Sequence, residues 1–188
     1  MSLYAKYLLT GSDYKVAPNF SVKEFVKEHR LSEYQFGLVS ILASELQKVR
    51  DLLQEFSSNG KNVTVNITSG VRDMADYDRL VRKGYNPSRT SDHFCGLQMG
   101  SKETVGAADV TFGNCRLSTR EVFGRIVQWV KEGKVKFGQV IYEKGRSEWI
   151  HLGNALDSIY SNEMVKHMSR KKFLISLDNG KTYQESEK

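Results

Sequence analysis

The chain has 188 residues, of which 39% are hydrophobic and 27% charged, and a formal net charge of +6. Its length suits one domain with a substantial core, and no apolar run is long enough for a membrane helix. Two cysteines, Cys95 and Cys115, are too few for a disulfide-stapled scaffold and read as two free buried thiols, while the net charge favours an anionic partner but the scattered basic residues, clustered only at Arg170-Lys171-Lys172, carry no nucleic-acid motif and read as a solvated face.

Residues 1–18 are polar and mixed, and read as a loose lead-in without a visible secretory signal. Residues 19–188 read as a single domain. Ser21 and Glu24 form a capping box that predicts a short helix to about His29. Ser32 and Gln35 form another. After it, Phe36, Val39, Ala43, Leu46, Val49, Leu53 and Phe56 recur at helical spacing and predict the longest helix, closed by Ser57-Ser58-Asn59-Gly60. Residues 63–68 alternate and are rich in β-branched side chains, so a strand is predicted there, leading into Ser69-Gly70-Val71-Arg72.

Residues 73–83 predict a short helix closed by Gly84, and a turn-rich stretch then delivers the chain to Ser91-Asp92-His93-Phe94-Cys95-Gly96. Residues 97–105 are polar and read as an inserted loop. A strand over 105–112 carries Ala107, Ala108 and Asp109. Ser118 and Glu121 open a helix ending at Gly133. Residues 137–142 and 148–152 predict a hairpin around a turn at 143–147, which sets His151 beside the strand of Asp109. The last expected element is a hairpin around Asn179-Gly180. Helices followed by strands imply an α+β fold: a small antiparallel sheet packed against N-terminal helices.

His93, Asp109 and His151 are the ligand types of a catalytic zinc site, in which three side chains bind and a fourth position takes water. Glu148, just before His151, is the expected general base; Glu143, at the end of the preceding strand, is the alternative. Arg72 sits where a strand gives way to a loop, a common place for a functional side chain, although residue type alone would favour a surface salt bridge. Cys95, beside His93, is the one conceivable further soft ligand. His29, at a helix end, and His167, in a polar stretch, read as structural rather than as ligands.

Taken together these stretches resemble peptidase family M15, the D-alanyl-D-alanine carboxypeptidase, dipeptidase and phage endolysin group. Ser69-Gly70-Val71-Arg72, Ser91-Asp92-His93 with Gly96, Ala107-Ala108-Asp109 and Trp149-Ile150-His151 follow its motifs in order. Flanks at 19–25 and 137–143 are also similar. The resemblance implies a hedgehog/D,D-peptidase-like fold and Zn2+ on His93, Asp109 and His151. It also implies Arg72 steadying the scissile carbonyl, Ser91 beside the substrate and Glu148 as base. The implied substrates are peptidoglycan peptides, cut by a monomer that a bacterium or phage makes in the cytoplasm and that acts at the cell wall. The alternative is a non-catalytic module of the same fold that binds wall fragments or a protein partner. One departure from the pattern is the long gap between His93 and Asp109, filled by residues 97–105.

Overall fold

The computed structural model describes residues 13–26, 30–100, 102–159 and 171–186. The chain enters through β1 (Lys15–Ala17), paired antiparallel with β2 (Phe20–Ser21), so the expected loose lead-in already carries a strand from Lys15. Helix α1 (Val22–Phe25) follows, and the Glu24 carboxylate accepts from the Ser21 N–H at 2.6 Å and its hydroxyl at 2.9 Å. The helix ends at Phe25; His29, to which it was expected to run, lies outside the described residues, as does His167.

Helix α2 (Glu33–Leu52) is opened by the expected Ser32–Gln35 exchange, with bonds of 3.2 and 2.9 Å in the two directions. It buries Leu38, Leu42, Leu46 and Val49 in one stripe, and Leu53 continues the stripe into a 3-10 turn. Each such side chain contributes roughly 1.5–3 kcal/mol by leaving water. Strand β3 (Thr64–Ser69) comes next, then α3 (Met74–Arg82), which is capped by Asp73 and has no buried residue. The inserted residues form a small hairpin of β4 (Gln98–Met99) and β5 (Lys102–Glu103). The rest of the chain is β6 (Ala107–Gly113), α4 (Thr119–Lys131), β7 (Phe137–Lys144), β8 (Glu148–Asn154), α5 (Leu156–Ile159), β9 (Lys172–Ser176) and β10 (Gln184–Glu185).

Six strands make one sheet in the order β10-β9-β7-β8-β6-β3. Every neighbouring pair is antiparallel except β7 and β9, which run parallel. The α+β class holds, and the antiparallel sheet that was expected contains one parallel pair. The terminal hairpin forms with Asn179 and Gly180 at φ 63° and 78°, but its strands close a longer loop than a two-residue turn.

Strand alternation sorts the sheet into two faces. Val110 on β6, Ile150 and Leu152 on β8, and Val140 and Tyr142 on β7 join the core with α2 and with Ile126 and Val130 of α4. Asp109, His151, Gln139, Ile141 and Glu143 occupy the alternate positions and face a cleft of about 840 Å³.

Candidate metal centre

His93 sits in a 3-10 turn, Asp92–Phe94, capped by Ser91 and anchored by buried Phe94. Cys95 and Gly96 then take φ values of 44° and 80° and reverse the chain. The β4–β5 hairpin leaves and returns at one point. Gly96 N–H donates to the Thr104 carbonyl at 2.6 Å, Thr104 N–H to Leu97 at 3.1 Å, and Gly106 N–H to Asp92 at 3.0 Å. Lys102 Nζ adds contacts of 2.9 Å to the Asp92 carboxylate and to the Thr90 carbonyl. The long gap in the motif is therefore looped out, and both of its ends stay in place.

Asp109 on β6 and His151 on β8 are direct cross-strand partners, so ordinary sheet register sets them side by side. Asp109 Oδ1 lies 3.1 Å from His93 Nε2 and 3.0 Å from His151 Nδ1, and the two nitrogens are 3.1 Å apart. All three residues are buried. A tetrahedral ion with bonds of about 2.0–2.2 Å sets its ligand atoms about 3.3–3.6 Å apart, close to this triangle.

The opposite ring nitrogens show why the triangle suits a cation. His93 Nδ1 is 2.7 Å from the Gly70 carbonyl, and His151 Nε2 is 3.1 Å from Gln139 Oε1. Both oxygens only accept, so each ring carries its hydrogen on the outer nitrogen and turns a lone pair inward. Two imidazole lone pairs and a carboxylate oxygen then meet at one point, which is favourable around a positive ion. Burial pushes the His93 pKa down, against the pull of Asp109. Burial by itself would raise the Asp109 pKa, and the Arg72 guanidinium on Oδ2 works against it. The three side chains form a group able to hold a metal ion.

Gly70 is where it is because the backbone of α1 passes against it: a Cβ there would overlap the Phe25 carbonyl. Arg72 donates from Nη2 to Asp109 Oδ2 at 2.7 Å, from Nε to Ser69 Oγ at 3.0 Å, and from its backbone N–H to the His93 carbonyl at 2.9 Å. It thus grips the Asp109 oxygen turned away from the two histidines. Ser91 lines the cleft, and its hydroxyl accepts from the His93 N–H at 3.4 Å. Cys95 does not join the triangle: its Sγ lies 3.9 Å from the Gln35 carbonyl, within the core, and burial pushes the thiol up to about 12.

The structure sets the two candidate bases on opposite faces of the sheet. Glu148 is three residues from His151, an odd separation along a strand, so the two side chains leave opposite faces of the sheet. Glu148 instead binds Lys144 Nζ at 3.0 Å and the Tyr142 hydroxyl, bonds that lower its pKa, on the face covered by α4. Glu143 is not in the turn, because β7 runs on through Lys144. It pairs with Trp149 on the cleft face, and Ile141 pairs with His151. Burial, reinforced by the charge of Asp109, raises the Glu143 pKa to about 7.

Sequence reading gave no role to Gln139 or Tyr183, both of which line this cleft. Strand parity with Glu143 gives Gln139; Tyr183 depends on how the terminal hairpin packs, which no local signal carries. No protein-family model, curated protein or solved structure matches this chain.

Proposed function

We propose that the protein is a zinc-dependent metallopeptidase of the M15 type, with a hedgehog/D,D-peptidase-like fold, that hydrolyses peptide bonds in peptidoglycan stem peptides or cross-links. The observation that carries this reading is the convergence of three inward lone-pair donors, His93 Nε2, His151 Nδ1 and Asp109 Oδ1, in a cleft that Glu143 and Arg72 also line. The motif resemblance supplies the substrate class. Zinc on these ligands supplies a Lewis acid and lowers the pKa of water to about 7.

Glu143, with a carboxyl pKa close to neutrality, takes a proton from the attacking water and passes it to the leaving amine. Trp149, its cross-strand partner, lines the cleft beside it. Arg72 fixes Asp109, and its guanidinium meets the negative charge that develops on the carbonyl oxygen. Ser91 and Gly70 keep His93 in position. The non-catalytic alternative calls for a closed shell of protein ligands. Among the described residues no fourth His, Cys, Asp or Glu joins the three, which favours the enzyme.

The test is hydrolysis of purified muropeptides by zinc-loaded protein beside His151→Ala, with products identified by mass. Cleavage that is lost in the variant is expected. Zinc-loaded protein that cuts nothing in a broad muropeptide set overturns the proposal.

A further inference from the structure

We propose that Tyr183 is a catalytic residue: its hydroxyl accepts a hydrogen bond from the nitrogen of the amide that is cut, opposite the Glu143 carboxylate that brings that nitrogen its proton. This rests on the peptidase reading above and deepens it.

Strand register builds this corner of the cleft. Glu143 on β7 pairs with Trp149 of β8 on one side and with Ser176 of β9 on the other. Gln184 of β10 pairs with Ile175, so the next position brings Tyr183 level with buried Ser176. The loop between β9 and β10 is fixed from within. Asp178 Oδ1 accepts from the Ser176 hydroxyl at 2.9 Å, the Lys181 N–H at 3.0 Å and the Thr182 N–H at 2.9 Å, and Oδ2 accepts from the Thr182 hydroxyl at 2.6 Å. Gly180 N–H donates to the Ser176 hydroxyl at 2.9 Å, and Asn179 N–H to the Lys144 carbonyl at 3.1 Å. The loop is thus tied both to itself and to the end of β7. Gly180 has φ 78°, and its bare Cα lets two oxygens close in: a Cβ there would lie 3.0 Å from Tyr183 Oη and 3.1 Å from Glu143 Oε2. The two oxygens therefore flank one point of the lining and are at most about 6 Å apart, two hydrogen-bond lengths. One polar atom of a substrate standing over the glycine reaches both.

Tyr183, Gly180 and Glu143 all line the cleft that holds His93, Asp109 and His151. Arg72, bound to Asp109, is the cation for the carbonyl oxygen. Tyr183 stands instead beside the group that carries the proton, which is where the leaving nitrogen has to be. Burial, reinforced by Glu143 and Asp109, pushes the phenol up to about 12, so at neutral pH it keeps its own proton and acts by hydrogen bonding alone. In the reaction the C–N bond breaks and the oxygen of water joins the carbonyl carbon. One proton of water crosses to the nitrogen through Glu143, while the hydrogen already on that nitrogen is donated in a hydrogen bond to Tyr183 Oη. The products are a carboxylate, a free amine and one proton released to solvent.

The experiment compares zinc-loaded wild type with Tyr183→Phe, which keeps the ring and removes only the hydroxyl. A purified muropeptide set identifies the bond that wild type cuts, and an ester analogue then carries oxygen in place of the N–H at that bond. Zinc content and Tm are measured on both proteins and are expected to match. On the amide, kcat is expected to fall about 10- to 100-fold in the variant, the loss of one hydrogen bond to a group that gains charge, with KM within a few-fold of wild type. On the ester, which has no N–H to donate, the two proteins should turn over at similar rates. Equal rates on the amide, or equal losses on amide and ester, overturn the inference and leave the peptidase reading standing. A variant that loses zinc or melts well below wild type places Tyr183 in the fold and not in the reaction, which also overturns it. If wild type cuts nothing in the set, both fall.

Discussion

Glu143 and Trp149 are direct cross-strand partners on β7 and β8, and both line the cleft that holds His93, Asp109 and His151. Strand register on this pair turns Glu143 to the cleft face and Glu148 to the other. Glu143→Gln removes the proton acceptor and keeps the shape, so hydrolysis is expected to fall about 10²- to 10⁴-fold while metal content is unchanged. Glu148→Gln, on the far face, is expected to stay within a few-fold of wild type. Muropeptide turnover and metal analysis of both variants check this; the opposite ranking returns the role to Glu148.

The pH profile follows from the same carboxyl. Its pKa is raised to about 7, and a base works only when deprotonated, so kcat/KM should climb with pH and flatten above the pKa. A cation on the triad adds positive charge nearby and draws this limb towards lower pH. Below it the rate should drop about tenfold per pH unit. A stopped assay between pH 4.5 and 8.5 reads it directly. A profile that is flat across that range assigns proton transfer to another group.

Much of this was legible in the chain. The capping boxes at Ser32 and Ser118 and the apolar stripe of α2 are local signals, and local bonding honours them. His93, Asp109 and His151 were legible as a set because each sits in a distinctive short motif. The face of Glu148 was not legible because counting along the chain ignores strand parity: three residues from His151 means the other face. Glu143 becomes visible only once β7 is known to continue past Tyr142 and to pair with β8. The grip of Arg72 on Asp109 joins residues 37 positions apart, and the parallel β7–β9 pairing is likewise long-range. Neither leaves a periodic trace in sequence.

Metal should stabilise the fold measurably. The three donors are buried and already grouped, so an ion binds the folded chain in preference to the unfolded one. At free zinc one hundred times Kd the gain is about 2.7 kcal/mol. For a chain of this size that corresponds to a rise in Tm of about 5–10 °C. Scanning calorimetry with zinc and with a chelator measures the difference. Asp109→Ala and His151→Ala should abolish the zinc-dependent part, and an equal zinc shift in those variants would place the ion elsewhere.

Two residues outside the triangle should tune its affinity. Arg72→Lys cannot reproduce the planar contacts to both Asp109 Oδ2 and Ser69 Oγ. Gly70→Ala forces a methyl group against the Phe25 carbonyl and displaces the oxygen that fixes the His93 ring. Loss of such supporting contacts typically costs about 10- to 100-fold in metal affinity. A competition titration against a zinc indicator gives the value for each variant. Wild-type affinity in both would mean that the triangle holds its shape without them.

The two thiols should separate cleanly. Cys95 is buried in the core with its pKa pushed up to about 12, whereas Cys115 is half-buried. The thiolate is the reactive form, so Cys95 in the native protein offers neither access nor charge to an alkylating reagent. Iodoacetamide at pH 8 followed by peptide mass analysis should label Cys115 and leave Cys95 free until the chain is unfolded. Cys95→Ala should keep full zinc binding, since Sγ faces the Gln35 carbonyl and the core. Zinc protection of Cys95 in the unfolding experiment, together with lost affinity in the alanine variant, would instead make the thiol a fourth ligand and shift the balance towards a closed, non-catalytic site.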